Sequence, residues 1–384
     1  MEKDKFIDTK VVHGYKGYDE HTGAISYPIY QTATFRHPAL NETTGYDYSR
    51  LQNPTREELE NTVAGIEGAK AGFAFSTGLA AISAVLNIFS PGDHIIVSDD
   101  LYGGTYRLFE EVYNKYGISH SFVDTTDTKL VSEAIKENTK AIFIETPSNP
   151  MMKVTDLAEI IKLAKSNKAL TIVDNTFLSP YFQNPILLGA DIVVHSGTKF
   201  LGGHNDTLAG LVVLNDEEII EKIRFLQNSV GGVLSPFDSW LILRGIKTLA
   251  IRMEKQQESA MKIANWLKQQ KDRIDEVYYV GLPEHKGHEI SLKQARGFGA
   301  MISFTVKNVQ AVEEILKNVK IITFAESLGG VESLITYPQT QTHASIPQEI
   351  RDRIGVTDKL LRLSVGIENA EDLINDLDQA LKNI

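Results

Sequence analysis

The sequence predicts an α/β protein built on a mostly parallel sheet flanked by helices, with an N-terminal arm and a smaller α+β domain at the C-terminal side. Three observations lead there. From about residue 70, short apolar runs alternate with segments whose apolar residues recur at helical spacing. Such alternation implies a sheet covered on both faces. After about residue 250 the texture changes, and strands and helices follow one another in a different order.

Taken along the chain, the first 60 residues show weak periodicity and many turn residues, which suits an arm lying on another surface. The runs GFAFS (72–76), HIIVS (94–98), AIFIET (141–146), LTIVDN (170–175) and DIVVHS (191–196) read as buried strands. Between them, TYRLFEEVYNKY and TDLAEIIKLAKSN have the spacing and N-caps of helices. Ser235-Pro236 opens a helix-compatible stretch running to about Lys271, with proline tolerated in its first turn. Beyond it DEVYYVG, AMISFTV and LRLSVG read as strands, and AVEEILKNV and AEDLINDLDQALKNI as helices. The expected division is an arm at 1–60, a large α/β domain at 61–249 and a small domain at 250–384. No internal repeat or low-complexity segment is present.

Composition narrows the function. The chain has 384 residues, 39 basic against 50 acidic, for a net charge of −11. That balance argues against nucleic acid or an anionic membrane as partner, since both select basic surface. There is no cysteine, so disulfides, thiolate nucleophiles and thiolate metal sites are excluded. The start MEKDKFIDTKVVHGYKG lacks the apolar run of a signal peptide, and no stretch approaches the roughly 20 apolar residues of a membrane span. A soluble cytoplasmic protein is expected.

In open α/β sheets ligands sit beyond the carboxyl ends of the strands, so polar residues just after the apolar runs are the candidates. Lys199 stands in HSGTKFLGGHNDTLAG (195–210), directly after a buried run and beside Ser196, Thr198 and the pair Gly202-Gly203. Hydroxyls and loop amides hold a phosphate, and a lysine in that setting suits a Schiff base with an aldehyde cofactor. Asp174 closes LTIVD one strand–connection–strand step earlier, so both residues can reach one pocket. Its carboxylate can stay ionised beside a protonated pyridine nitrogen. In FSTGLAAISAVL, Gly78 lies at a strand-to-helix junction whose amides can face an anion. Tyr102, on another strand end, can stack on a pyridine face or belong to the core. The spacing of His195, His204 and Asp206 does not suit a metal site, and no G-x-G-x-x-G follows the early strands.

With these residues in place, the chain resembles the Cys/Met-metabolism pyridoxal-phosphate family of trans-sulfuration enzymes over nearly its whole length. The most specific element is Asp191-x3-His195-Ser196-Gly197-Thr198-Lys199-Phe200-Leu201-x-Gly203-His204-Asn205. YDYSR (46–50), NPTR (53–56), LYGGTYR (101–107), ETPSNP (145–150), VDNTF (173–177), ESLGGVESL (326–334), THAS (342–345) and LRLSVGIE (361–368) support it in order. The resemblance implies the fold-type I, aminotransferase-like architecture and pyridoxal 5′-phosphate as cofactor. It implies that Lys199 carries the cofactor and later shuttles a proton, that Asp174 partners the pyridine nitrogen and that Tyr102 stacks on the ring. The amides of Gly78 and Leu79 and the hydroxyls of Ser196 and Thr198 would hold the phosphate, joined by Tyr48 and Arg50 of a neighbouring subunit. Asn149 and Arg362 would fix the substrate carboxylate, and Ser327 would position Lys199. The implied assembly is a homo-oligomer, a tetramer made of two active dimers.

Two departures stand out. Gln52 replaces a glycine frequent in the family, and Gly104 stands where methionine γ-lyases typically carry cysteine, which disfavours that activity. Asp47 and Glu326 look like the acidic residues that synthases and γ-lyases place near the amino group of cysteine or cystathionine. The resemblance is greatest to γ-synthases, which join O-acetyl- or O-succinyl-homoserine to cysteine in methionine biosynthesis. Cystathionine γ- or β-lyase and O-acetylhomoserine thiolyase remain the alternatives.

Overall fold

Residues 5–382 of a computed structural model are described. Seven strands form the first sheet: β1 Ala71–Phe75, β2 His94–Ser98, β3 Ser119–Val123, β4 Thr139–Glu145, β5 Leu170–Asp174, β6 Ile192–Ser196 and β7 Gly210–Leu214. Their order is β1-β7-β6-β5-β4-β2-β3. All neighbours are parallel except β7, which runs antiparallel to both β1 and β6. The five apolar runs of the sequence are five of these strands. β3 and β7 were not anticipated: β3 is a half-buried edge strand, and β7 returns directly from the Lys199 turn without a crossover helix.

The sheet is buried on both sides because its strands are apolar at consecutive positions. Phe143, Ile172 and Val194 pack into one core layer, while Ile144, Val173 and Val193 pack into the other. Fully burying one such side chain contributes about 1.5–3 kcal/mol, so this double layer is the main fixed support of the strand ends.

A second sheet, ordered β10-β11-β12-β9-β8, comprises β8 Ile274–Tyr278, β9 Met301–Val306, β10 Thr323–Phe324, β11 Leu334–Thr336 and β12 Leu360–Ser364. It is antiparallel apart from the β10–β11 pair. The helices Val309–Asn318 and Ala370–Leu381 are those expected from AVEEILKNV and the C-terminal segment.

The long helix expected from Ser235 to about Lys271 is two helices, Pro236–Ile246 and Leu249–Gln269. The break has a packing cause. A Cβ on Gly245 would stand 2.2 Å from the Gly202 carbonyl oxygen, so the first helix ends pressed against the turn that follows Lys199. The buried Arg252 then donates to the carbonyls of Gly245 at 2.8 Å and Phe200 at 2.7 Å, satisfying acceptors that the break and the turn expose. TYRLFEEVYNKY is likewise not one regular helix. Gly103–Arg107 widens into a π-helical turn, Leu108–Val112, and tightens into a 3₁₀ turn, Tyr113–Tyr116. The arm carries a short helix, Ile7–His13, before the helix Pro54–Glu67 capped by Asn53. Among the described residues, no helix is long and apolar enough to cross a membrane.

Candidate active site

Strands β4, β5 and β6 run in one direction and end on Glu145, Asp174 and Ser196. β1 is antiparallel to β7, which is antiparallel to β6, so β1 also ends at this edge. The helix Gly78–Leu86 starts there, with Thr77 Oγ1 accepting the Ala80 amide at 3.0 Å. A Cβ on Gly78 would lie 3.1 Å from Ser196 Cβ, so glycine lets the helix start meet β6 closely. Among the described residues, the Gly78 and Leu79 amides find no backbone acceptor. They line a cavity of about 300 Å³ with Asp174, Ser196, Thr198 and Lys199.

Lys199 Nζ donates to Ser327 Oγ at 2.9 Å. Burial pushes its pKa down to about 8; the Arg362 charge adds to that, and Glu326 opposes it. Ser327 comes from the loop that precedes β11 and has φ 94, a left-handed conformation costly for a residue with a side chain. Gly329 in the same loop lies so close that a Cβ there would stand 2.7 Å from the Phe200 amide nitrogen. The second sheet thus delivers a hydroxyl to the lysine by pressing a loop onto its backbone.

Arg362, in β12, is buried and donates to Asn149 Oδ1 at 2.8 Å and to the Ser327 carbonyl at 3.0 Å. Its Nε has no partner. A buried guanidinium with unspent donors beside a buried amide can take a planar carboxylate.

Asp174 Oδ1 accepts from the Thr176 amide at 3.0 Å and its hydroxyl at 2.6 Å. Burial raises its pKa, while those two bonds and the His195 imidazole pull it back. Among the described residues, no donor reaches its second oxygen. The Thr198 hydroxyl is tied to Ala209, accepting its amide at 3.0 Å. These features fit pyridoxal phosphate: an amine of lowered pKa for its aldehyde, a carboxylate with a free oxygen for its ring nitrogen, and unpaired amides at a helix start for its phosphate.

Tyr102 stands at the cavity mouth, 39% exposed, and a Cβ on Gly104 would lie 2.4 Å from its ring. Glu326 is exposed and also lines the cavity. Asn149, Ser327 and Arg362 line it too, so these predicted residues converge. Three do not. Asp47 pairs with His37 at 2.9 Å on the exposed arm. Arg50 lies over the Tyr48 ring, 5.3 Å from its centroid, and donates to Asn228 at 3.2 Å. His195 is buried 3.6 Å from Glu67, whereas His204 bonds to the Gly202 carbonyl. Among the described residues, no group of three or more potential metal ligands forms.

Two participants escaped the sequence reading. Glu145 accepts the Tyr102 amide at 3.0 Å, and its signal was available, since an acid closing an apolar run is also what marked Asp174. Thr342 lines the cavity, and its neighbour His343 bonds through Nε2 to the carbonyls of Leu101 and Asn149. Nothing local in THAS distinguishes those residues from an ordinary loop.

Comparison with known proteins identifies the family. Residues 8–382 match the model of the family described as Cys/Met metabolism PLP-dependent enzyme. The cystathionine beta-lyase of Lactococcus lactis subsp. cremoris is 55% identical over 98% of this chain and 99% of its own length. The cystathionine gamma-lyase of Bacillus subtilis is 53% identical over the same shares, 98% and 99%. The cystathionine gamma synthase of Xanthomonas oryzae pv. oryzae, solved with aminoacrylate and cysteine, superposes with a TM-score of 0.96 at 41% identity, covering 99% of this chain and 98% of that one. The chain belongs to the Cys/Met metabolism family and is a pyridoxal-phosphate-dependent enzyme.

Proposed function

We propose that this enzyme makes cystathionine, replacing the γ-acyloxy group of O-acetyl- or O-succinyl-homoserine by the sulfur of cysteine. The observation that carries the reading is one cavity holding both the Arg362–Asn149 pair and the Glu326 carboxylate, with Lys199 beside them. The pair suits the carboxylate of one amino acid, and the acid at the mouth suits the ammonium of a second.

Bound in this cavity, pyridoxal phosphate supplies an electron sink that acidifies the hydrogen on the substrate α-carbon. Gly78 and Leu79 amides, with the Ser196 and Thr198 hydroxyls, would hold its phosphate. Asp174 would keep a negative charge for the ring nitrogen, and Tyr102 would offer an aromatic face to the ring. Arg362 and Asn149 grip the α-carboxylate. Lys199 takes the α-proton on Nζ and then promotes loss of a β-proton, with Ser327 Oγ aiming that nitrogen. The acyloxy group departs as a free carboxylate, the cysteine thiol gives up its proton as its sulfur bonds to the γ-carbon, and Lys199 returns protons to the β- and α-carbons, while Glu326 and a neighbouring subunit's Asp47 hold the cysteine ammonium.

A second reading, cleavage of a carbon–sulfur bond of cystathionine, uses the same grip. The lyase names of the Lactococcus and Bacillus relatives favour it. Product analysis separates the two. The purified holoenzyme is given each O-acylhomoserine with and without cysteine, and cystathionine alone. Cystathionine formed only when cysteine is present supports the synthase. Rapid cleavage of cystathionine with no synthesis replaces it by the lyase, and sulfide outcompeting cysteine points to a thiolyase.

The arm bears on assembly. Tyr48, Arg50 and Asp47 lie outside the cavity of their own chain, and Tyr48 and Leu51 are exposed. We read the exposed part of the arm around Tyr48 as reaching a neighbouring subunit, Tyr48 and Arg50 completing its phosphate site, within a homotetramer of two active dimers.

A further inference from the structure

Glu145 has no part in the chemistry described above, yet it is 6% exposed and lines the same cavity as Lys199. It is the residue of β4 in register with Asp174 of β5, and neighbouring strands lie only about 4.8 Å apart. Asp174 is 9% exposed and lines the cavity too. Two carboxyl groups so placed oppose one another's ionisation, and the protonated ring nitrogen that would lie beside Asp174 favours placing the charge there. We propose that Glu145 is a neutral carboxylic acid in the working enzyme, holding a proton so that Asp174 alone carries the charge, and that it acts as a positioning residue for Tyr102.

The surrounding groups decide which member of the pair keeps the proton. Asp174 accepts two hydrogen bonds from Thr176, both of which favour its anion. Glu145 accepts one, from the Tyr102 amide at 3.0 Å. From the segment after β2, Asp100 adds a third buried carboxyl that opposes a charge on Glu145. From β12, Arg362 attracts one, but its hydrogen bonds go to Asn149, the Ser327 carbonyl and Thr336. Lys199 is spent on Ser327, and Glu326 at the rim is a further acid lining the cavity. The balance of burial first, then Asp174 and Asp100, holds the Glu145 pKa well above the usual carboxylate range, although Tyr102 and Arg362 pull against it.

A neutral acid here has two consequences. Its carbonyl oxygen still accepts the Tyr102 amide at the start of the helix Gly103–Arg107, which sets where the aromatic ring leaves the backbone. Its hydroxyl adds a donor to a carboxyl that lines the cavity. The inference is independent of which carbon–sulfur reaction the enzyme runs.

Infrared difference spectroscopy tests it on the holoenzyme. At neutral pH the wild type should show the C=O stretch of a protonated carboxyl that vanishes in Glu145→Gln. In Asp174→Asn, where the repulsion is gone, that band should be lost on raising the pH earlier than in the wild type. Cofactor affinity of the cofactor-stripped protein supplies the second readout. Glu145→Ala should weaken it about tenfold or more, and Glu145→Gln, which keeps both an acceptor and a donor, should recover most of that loss. A wild type without a band sensitive to Glu145→Gln overturns the neutral acid. Equal loss of affinity in the Ala and Gln variants overturns the positioning role. The wild-type spectrum keeps the first test decisive even where the Ala variant folds poorly.

Discussion

The strand-end cavity and the N-terminal arm carry charged residues in opposite ways. Asp174 and Glu145 are buried at the ends of β5 and β4, and Lys199 sits enclosed in the turn after β6. Asp47 and Arg50 are exposed and paired with neighbours on the surface, His37 and Asn228. A group embedded in a double-layered sheet has its proton affinity set by its own chain, because burial and fixed neighbours outweigh water. A group on an exposed arm is screened, and it acquires a specific role only against another surface.

The contrast is most easily broken at Lys199. Lys199→Ala should abolish the visible absorbance of the cofactor's covalent link to the chain and lower turnover by at least about a thousandfold, since among the described residues no other lysine lines the cavity. Borohydride reduction of the wild type followed by peptide mapping checks the assignment, and label on a different lysine would sink it.

The next largest effect concerns Glu326 at the cavity and Asp47 on the arm that is read as reaching a neighbouring subunit. Glu326→Ala and Asp47→Ala should each lower cysteine-dependent γ-replacement by roughly 10- to 100-fold, the loss of a charge-assisted contact to an ammonium. Water-dependent γ-elimination of the same O-acylhomoserine should fall less, with cofactor absorbance intact. Equal losses in both reactions would assign the acids to the first substrate or to folding.

Lys199 also gives a pH prediction. Its pKa is lowered to about 8, so its amine loses the proton at lower pH than an ordinary lysine. Aldehyde capture needs the free amine, so cofactor binding by the stripped protein should speed up as pH rises through about 8 and then level off. At pH 7 about a tenth of Lys199 is already neutral, against fewer than roughly one in a thousand for an unperturbed lysine. Stopped-flow absorbance measures the profile, and a midpoint near that of a free lysine would remove the tuning from the cavity.

The smallest effect sharpens the comparison from the side of the arm. Mixing Arg50→Ala with Lys199→Ala subunits should restore roughly a quarter of wild-type activity, because half the dimers are hybrids and each hybrid has one intact site of two. No recovery despite proven subunit exchange counts against sites shared between chains.

Much of this was legible beforehand, for physical reasons that differ by element. β2, β4, β5 and β6 could be read because strands buried on both faces must be continuously apolar. β3 escaped because an edge strand need not be. Lys199 and Asp174 stand out as charges at the ends of such runs, and Glu145 carries the same signal at the end of β4.

By itself the sequence determined the α/β architecture, because burial patterns are local in the chain, and the family resemblance carried by its motifs pointed to the cofactor. Only the tertiary structure decided the rest. Ser327 reaches Lys199 because a loop of the second sheet is pressed against the Lys199 turn. The expected long helix divides at residues 247–248, between an end packed on Gly202 and a start beside the carbonyls that Arg252 satisfies. Glu145 stands beside Asp174 because two strands end in register. Each of these depends on what one segment meets when another folds against it, and that contact has no signature in the spacing of either segment.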